Sequence, residues 1–586
     1  MPPSSFSSQF TIMERGFLMH FFLTLYKDGS VGFSPFCKTD DHEPSVISYL
    51  CVPLSCATIQ AVQAQLRRRD PFDFWHKGVR TKDTKLEILK ILKGFGWNAS
   101  DLTWKEYSPS PVIGQAPLEV QDNASEKAFN RLTLGRQLSL GDLRGLARQL
   151  KIKEDDIKKL AHFNVEQGRA KWVPAVRRIG NGWQCQRCGE RDVEEWPSQY
   201  EMAATCRSCE SIGVSTSMDV LYRDERSLMG GPAEVSFQPH WVLTEAQRLA
   251  SEQVFEFIKD TYEKTALLWA ACGAGKTEVC FPSAAWAMKQ GKSVLFAAPR
   301  QDVINDVAPR LQRDFPGYPF QVLTGTSSVK FQGGGLVLAT THQVLRFWRA
   351  FDVIFMDEMD AFPYQGSHAL QWGLNHALRQ GGKILYLTAT PSSEGLKVVR
   401  QGIMRLIRLP ARYHRISLPV PIWEKSRHSI EPNGCTGVWV TQIKLLRAQG
   451  PVLVFVPKIS WIDPWIKCFR QCFPSWCVDG SYSSDPNRSS KIERLRRGEF
   501  DVFVSTTILE RGITLPGIQV VVLGADHPVF DERALVQMAG RVGRTRESPE
   551  GRVVFISKQR TPDMKTAVLW IEEQNKLALE LGLINA

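Results

Sequence analysis

The stretch Ala270-Ala271-Cys272-Gly273-Ala274-Gly275-Lys276-Thr277 decides the fold. Apolar residues 266–271 read as a strand. Val279, Phe281, Ala284, Ala285 and Met288 then read as the buried stripe of a helix that begins near Lys276. A Gly-rich turn between strand and helix lets backbone N–H groups converge on phosphate oxygens, because a Cβ at the glycine positions would hold the anion away. Lys276 adds a mobile positive charge for the terminal phosphates, and the Thr277 hydroxyl a ligand for Mg²⁺. The candidate nucleotide cradle is Ala271, Cys272, Gly273, Ala274, Gly275, Lys276, Thr277 and Glu278. Ala270 stands where the G-x-x-x-x-G-K-T pattern has its first glycine, so a fortuitous Gly-rich turn competes as a reading of the loop alone.

The order of the downstream motifs removes that competitor. Residues 351–356 form a strand-like run that ends in Asp357-Glu358-Met359-Asp360. Carboxylates at the C-terminal end of a parallel strand lie beside the phosphate loop, where nucleotides bind in such sheets. Asp357 would hold Mg²⁺ and Glu358 would orient the attacking water. An acidic tetrad after a strand is by itself a common solvated turn. In this order behind a phosphate loop it reads as catalytic.

With 586 residues the chain is too long for one core, and about three to five domains are expected. Apolar residues at 43% and charged residues at 23% belong to ordinary globular protein. A formal net charge of +12 favours a polyanionic partner, nucleic acid or an anionic membrane face. The apolar stretch 16–26 contains His20 and lacks a basic leader and a cleavage site, which argues against a signal peptide. No run reaches the 18 or so apolar residues of a membrane span, and 13 cysteines scattered over a large nucleotide-binding chain point to a reducing cytoplasm.

Cys185-x2-Cys188 and Cys206-x2-Cys209, with seventeen residues between the pairs, carry the second strong signal. Each C-x-x-C turn aims two thiolates at one ion, and two turns close a tetrahedral sulfur shell. With no position left for water the site is structural, and zinc is the expected metal, a redox pair being the main competitor. Upstream, Leu138, Leu140, Leu143, Leu146 and Leu150 recur at helical spacing among Arg144, Arg148, Lys151, Lys158, Lys159, Arg177 and Arg178, with Trp172 and Trp183 nearby. That mixture fits a surface tracking phosphates and stacking bases, and equally a set of solvated helix faces.

From residue 243 onward strands and helices alternate. Thr244 is a plausible N-cap for a helix that carries Gln247. Strands at 293–298, 335–339 and 383–387 end in Pro299-Arg300, in Thr340-Thr341-His342-Gln343 and in Thr388-Ala389-Thr390-Pro391, a parallel sheet with its functional loops along one edge. A second α/β unit begins near Gly434, with strands at 452–456, 502–505 and 520–523 and no phosphate loop. It carries Thr506-Thr507-Ile508-Leu509-Glu510-Arg511-Gly512-Ile513-Thr514 and Gln537-Met538-Ala539-Gly540-Arg541-Val542-Gly543-Arg544. Arg541 and Arg544, three apart, would share one helix face and reach an anion together. Such a pair is common on surfaces, but behind a nucleotide-binding unit it reads as arginine fingers supplied across a domain cleft.

Taken in order, these motifs resemble those of a superfamily 2 helicase motor over residues 243 to about 560. A narrower resemblance is to the ComFA-like competence ATPases, bacterial motors that help import single-stranded DNA in natural transformation. It rests on the cysteine ribbon directly before the motor, on Asp-Glu-x-Asp-Ala-Phe-Pro at 357–363, and on Ser505 to Gly512 leading to Gln-x-x-Gly-Arg-Val-Gly-Arg. The resemblance implies that Gln247 recognises adenine, that Thr388 to Thr390 couple nucleotide state to domain movement, and that Arg541 and Arg544 contact the γ-phosphate. It places Pro299, Arg300, Thr324, Gly325, Thr341, His342, Thr506 and Thr507 in a strand-binding groove. Thr514 stands where DEAD-box enzymes carry a ribose-contacting aspartate, which counts against a strict DEAD-box RNA helicase.

The expected fold is α/β, with two tandem RecA-like parallel-sheet domains preceded by a four-cysteine zinc ribbon and a mixed N-terminal region. The expected division is an N-terminal region at 1–107, a linker at 108–127, a basic helical segment at 128–180, the zinc domain at 181–215, and RecA-like domains at 243–410 and 430–586. The expected enzyme is a DNA-stimulated ATP hydrolase that translocates on single-stranded DNA during uptake. Its catalytic residues would be Lys276, Asp357, Glu358, Arg541 and Arg544. ATP, Mg²⁺ held by Thr277 and Asp357, and Zn²⁺ held by Cys185, Cys188, Cys206 and Cys209 complete the site. Partners would be single-stranded DNA and other competence proteins, including a membrane DNA channel, at the cytoplasmic face of the cell membrane. Two other readings stand beside it: a replication-restart or repair DNA helicase, and an ATP-binding nucleic-acid adaptor without turnover.

Overall fold

The computed structural model describes residues 19, 21–28, 30–35, 46–69, 81–106, 123–180, 182–198, 202–228, 234–427, 430–432, 436–507 and 515–585. Thr514, residues 508–513 and most of the expected 108–127 linker lie outside the described residues.

Two parallel sheets form the body of the chain. The first has seven strands in the order Phe320–Leu323, Leu336–Thr340, Val294–Ala298, Phe351–Asp357, Leu378–Thr388, Thr265–Ala270 and Arg405–Leu409. The second has six, in the order Ile422–Lys425, Val553–Ser557, Gln519–Leu523, Val452–Phe455, Val502–Ser505 and Val478–Ser481. Their central strands are buried along their whole length, as continuous apolar runs covered by helices on both faces require. Because all strands of a sheet run the same way, the loops after them gather at one edge, and that edge carries the motifs.

The N-terminal region is a third body. A four-stranded antiparallel sheet, ordered Val31–Ser34, Phe22–Tyr26, Val46–Leu50 and Trp104–Glu106, packs with the helices Cys56–Arg69 and Thr81–Gly94. Its Phe21, Leu23, Ile59 and Ile88 share one core with Phe129, Leu143, Trp172 and Tyr222, so it is continuous with the segment that precedes the cysteines. That segment is not helical throughout. Leu138 lies on the strand Gln137–Ser139, and the helices Leu140–Leu150 and Glu154–Glu166 are followed by the strand Ala170–Pro174. The Gly/Pro/Ser-rich stretch after the cysteines also hides a strand, Val220–Asp224, which is fully buried and lies between Gln137–Ser139 and Ala170–Pro174. Its Tyr222 pairs in register with Trp172 of the neighbouring strand, a partnership that the flanking turn residues mask in sequence.

This N-terminal body is fixed to the first parallel sheet by buried polar contacts. Arg136, 1% exposed, donates from Nη2 to Gln321 Oε1 at 2.8 Å and reaches the carbonyls of Lys330 and Gln332 at 3.3 Å. Its guanidinium lies over Phe347, 4.7 Å from the ring centre, and burial pulls its pKa down to about 9. Gln137 Nε2 donates to Leu345 O at 2.9 Å, and Arg346 pairs with Asp142, the residue that closes the capping box of the helix Leu140–Leu150. Among the described residues no helix is long and apolar enough to cross a membrane. Against the reading of a reducing compartment, Cys472 is disulfide-bonded.

Arg136→Met keeps most of the apolar stem but removes the donor from Gln321 Oε1 and Gln332 O, while Lys330 O keeps Gln321 Nε2. It is expected to lower the first cooperative unfolding transition by about 2–3 kcal/mol in a urea titration. An unchanged midpoint would mean that the contact contributes nothing to stability.

Candidate active site and metal centre

The phosphate loop adopts the geometry its sequence calls for. Gly273 and Gly275 have φ of +79° and +77°, and the helix Lys276–Lys289 starts directly after them. At Gly275 a Cβ would stand 2.5 Å from Gln247 Nε2, so the position excludes any side chain. Gln247 itself closes a capping box with Thr244 and donates from Nε2 to Ala274 O at 2.8 Å. Its carboxamide thus grips the loop and the start of its own helix, a contact within the protein that the resemblance to adenine recognition did not include.

Lys276 Nζ lies 2.6 Å from Asp357 Oδ1. Burial alone would lower the lysine pKa, but the carboxylates of Asp357, Glu358 and Asp360 outweigh it and hold the ammonium above its ordinary range. Asp357 also accepts from the Glu358 N–H at 2.7 Å, and Glu358 is held at φ +52°, a backbone state that non-glycine residues seldom adopt. Such strain persists where surrounding contacts over-determine it, which is common at catalytic positions. Loop N–H groups, a charged lysine, the buried Thr277 hydroxyl and Asp357 form the donor and ligand set that a nucleotide phosphate tail with Mg²⁺ needs.

Asp360 joins this centre to the loop lying between the strands of Lys276 and Asp357. Its Oδ1 accepts from Thr388 Oγ1 and its Oδ2 from Thr390 Oγ1, each at 2.5 Å, with both threonines fully buried. From the second sheet, Gln537 Nε2 donates to Thr390 Oγ1 at 3.3 Å. An unbroken series of hydrogen bonds therefore runs from the acidic motif to the arginine-bearing segment.

That segment differs from its expected form. The helix Glu532–Ala539 ends at Gly540, so Arg541 and Arg544 lie in the turn beyond it and not on a shared helix face. Arg544 lies against the phosphate loop: a Cβ on Gly273 would stand 3.7 Å from Arg544 Cγ. Burial pushes its guanidinium below the ordinary arginine range, and Cys272 and Glu358 act against that. Arg541 is 1% exposed within the same turn. Sequence reading passed over Arg412, which bonds this turn and the phosphate loop at once and whose signal is not local.

The expected strand-binding residues follow three neighbouring strands of the first sheet and one of the second. Arg300, His342, Thr506 and Thr507 are half-buried and Gly325 is exposed, whereas Pro299, Thr324 and Thr341 are buried. Burial keeps the His342 imidazole below its usual range, hence neutral at pH 7. The accessible members are the ones a strand could touch in this conformation.

The four cysteines come from two hairpins. Cys185 ends the strand Gly182–Cys185, Cys206 ends Met202–Cys206, and Cys188 and Cys209 lie in the turns beyond. All four are buried, and their Sγ atoms lie within 4.8 Å of one another, with Cys185 to Cys209 at 3.7 Å and Cys188 to Cys206 at 3.6 Å. These separations exceed the roughly 2.05 Å of a disulfide. They match the roughly 3.8 Å edge of a tetrahedron with metal–sulfur bonds of about 2.3 Å. The knuckle is seated on the first parallel sheet: Gly189 has φ +77°, and a Cβ there would stand 2.3 Å from the Trp372 indole, on the helix His368–Ala377 just past the acidic motif. Trp372 stacks on His376 at 4.1 Å and His376 on Trp348 at 5.3 Å, while Arg223 caps Trp348 at 3.6 Å.

Two family models match the chain, "Type III restriction enzyme, res subunit" over residues 240–393 and "Helicase conserved C-terminal domain" over residues 439–546. The chain is similar to Competence protein ComFA of Bacillus subtilis, 36% identical over 411 residues that cover 68% of this chain and 87% of the relative. Competence protein ComFA of Streptococcus pneumoniae is 32% identical, covering 70% of this chain and 95% of that one. A transcription-repair-coupling factor of Staphylococcus haemolyticus is 24% identical over 48% of this chain and 24% of its own length.

Cys185→Ser is expected to reduce bound metal, measured by plasma mass spectrometry, from about one ion per chain to a small fraction, and to lower the melting temperature. Full metal content in that variant would place the ligands elsewhere.

Proposed function

The chain belongs to the ComFA family of competence proteins, and from that premise we propose that it is a motor that uses ATP to move along single-stranded DNA during DNA uptake. Helicase-type domains support ATP hydrolysis as its chemistry. The observation that carries the reading is the convergence of Lys276, Asp357 and Glu358 on one side of a cleft with Gln537 and Arg544 on the other.

In this reading the loop N–H groups and Lys276 bind the β- and γ-phosphates, and Thr277 and Asp357 hold Mg²⁺, which neutralises phosphate charge. Glu358 orients and deprotonates the attacking water, while Arg541 and Arg544 stabilise the charge that develops on the γ-phosphate. Loss of that phosphate removes the anion both sides share. The arginine turn then loses its phosphate contact, and Gln537, Thr390 and Asp360 carry the change between the sheets. Groove residues on the two sheets alternate their hold on the strand, with Arg300, Gly325, His342, Thr506 and Thr507 as the accessible contacts.

Zinc is the ion proposed for the four cysteines, because four thiolates in a closed tetrahedral shell suit a structural zinc site. The net charge of +12 suits a polyanionic track. The partners proposed are other competence proteins, including a membrane DNA channel, with the chain acting peripherally at the cytoplasmic face.

ATP hydrolysis is expected to rise strongly with single-stranded DNA and weakly with duplex DNA or RNA, compared at fixed salt because phosphate contacts are salt-sensitive. Glu358→Gln should reduce kcat by about 100-fold or more. Preference for forked duplex would favour the repair-helicase reading, and undiminished turnover in Glu358→Gln would reject this assignment of the site.

A further inference from the structure

We propose that Arg412, in the link between the two parallel sheets, is the positioning residue that holds the arginine-bearing turn against the phosphate loop. The inference rests on the reading that Arg541 and Arg544 serve the terminal phosphate.

Arg412 lies just past the strand Arg405–Leu409 and is 1% exposed. Its guanidinium reaches four backbone carbonyls. Nε donates to Cys272 O at 2.7 Å, Nη1 to Val542 O at 2.7 Å and Gly543 O at 2.5 Å, and Nη2 to Gly540 O at 3.1 Å. The first carbonyl belongs to the phosphate loop and the other three to the turn that carries both arginines. One rigid, planar fork thus fixes the distance between the two halves of the nucleotide site. Burial lowers its pKa to about 10, with the neighbouring Arg544 charge contributing, so it stays charged at neutral pH and keeps all its donors.

The residues beside it act in the same direction. Tyr413 Oη donates to Arg544 O at 3.2 Å. His414 Nε2 donates to Gly543 O at 2.8 Å while its Nδ1 accepts the Ile416 N–H at 3.2 Å, which defines a neutral Nε2–H imidazole; burial holds its pKa below the usual range. The turn has been shaped to accept this grip. Gly543 has φ +64°, and a Cβ there would stand 2.3 Å from Pro549 O and 3.2 Å from Arg412 Nη1. A Cβ on Gly540 would stand 2.4 Å from Cys272 Cβ, so the turn and the loop touch through a glycine. An apolar residue at 412 would fill the space but remove the side-chain donor from Cys272 O and Val542 O, while Gly543 O would keep only His414 Nε2 and Gly540 O only Arg544 Nε.

Because the bonds of Arg412 go to backbone carbonyls of the loop and the turn, its loss should misplace Arg544 without weakening ATP binding. In the full chain with saturating poly(dT), Arg412→Ala is expected to lower kcat about 100-fold while KM for ATP stays within about twofold. Non-denaturing guanidinium chloride should restore part of kcat in Arg412→Ala and none in wild type. A kcat within about twofold of wild type, or a raised KM at unchanged kcat, would overturn the proposal. Glu358→Gln, assayed in parallel, separates the causes: if it too turns over normally, the site reading fails, and if only Arg412→Ala does, the positioning role fails. Should Arg412→Ala lose cooperative melting, Tyr413→Phe decides. It removes one hydroxyl from the same grip and is expected to lower kcat roughly threefold or more at an unchanged melting temperature, and wild-type turnover would overturn the role.

Discussion

A charged contact between Lys276 and Asp357, on two loops that flank a third, sets the arrangement on which the other features depend. Strands Phe351–Asp357 and Thr265–Ala270 are separated in the sheet by Leu378–Thr388, so the acidic motif and the phosphate loop reach past Thr388-Ala389-Thr390 to meet. The middle loop is thereby enclosed, and its two buried hydroxyls find their acceptors on Asp360. Burying them without those carboxylate oxygens would leave two orphaned donors at a full desolvation penalty, so the loop follows the acidic motif wherever that motif moves. Gln537 then touches the same threonine from the opposite sheet. Charge at the phosphate site and contact across the cleft are joined by three hydrogen bonds.

Much of this was legible in the sequence because parallel-sheet domains write their strands as continuous apolar runs and their functional loops as small polar clusters. The strand, loop and helix around Lys276 and the strand ending in Asp357 fall where those runs place them. The cysteine pairs were equally readable, since a C-x-x-C turn is a local device. Other features were not. Val220–Asp224 sits among turn-forming residues, and nothing local shows that its Tyr222 pairs with Trp172 on a strand about 50 residues earlier. The arginine pair read as helical because its spacing is helical, yet the chain leaves the helix at Gly540, where backbone carbonyls are taken by a side chain about 130 residues away. Arg412 itself carries no spacing signal, because its partners are carbonyl oxygens that any residue type can supply.

The cysteine cluster is attached to the first parallel sheet's domain by packing that depends on its turn geometry. Gly189 follows Cys188, and only a residue without a side chain lets the knuckle close on Trp372. The stack Trp372, His376, Trp348 and Arg223 leads back to the N-terminal body, because Arg223 also donates to Gln186 O at 2.8 Å beside the cysteines. A metal that organises the hairpins therefore also organises a surface of the helix His368–Ala377, which leaves the acidic motif within a dozen residues. A metal held by the four thiolates would pass its folding energy to the nucleotide-bearing sheet through that helix.

Buried arginines bind the bodies of this chain together: Arg346 pairs with Asp142, and three others bond carbonyl oxygens. Arg136 bonds Gln321 and two carbonyls of the first sheet, Arg223 bonds Gln137 and Gln186 O under Trp348, and Arg412 bonds four carbonyls across the cleft. Burial lowers all three, to about 9, 10 and 10, a direct sign of the desolvation that each contact must offset. A guanidinium is suited to this because its donors lie fixed in one plane and can satisfy acceptors from separate segments that would otherwise be orphaned. The placement is uneven in a useful way. Arg136 and Arg223 fasten the N-terminal body and the cysteine hairpins to the first sheet alone, whereas Arg412 is the one of the three that spans both halves of the nucleotide site. Two of these contacts make a single platform of everything before residue 410. The third lies in the link between the two sheets, so the same chemistry that joins the N-terminal body to the first sheet also sets the register of the second sheet on the first.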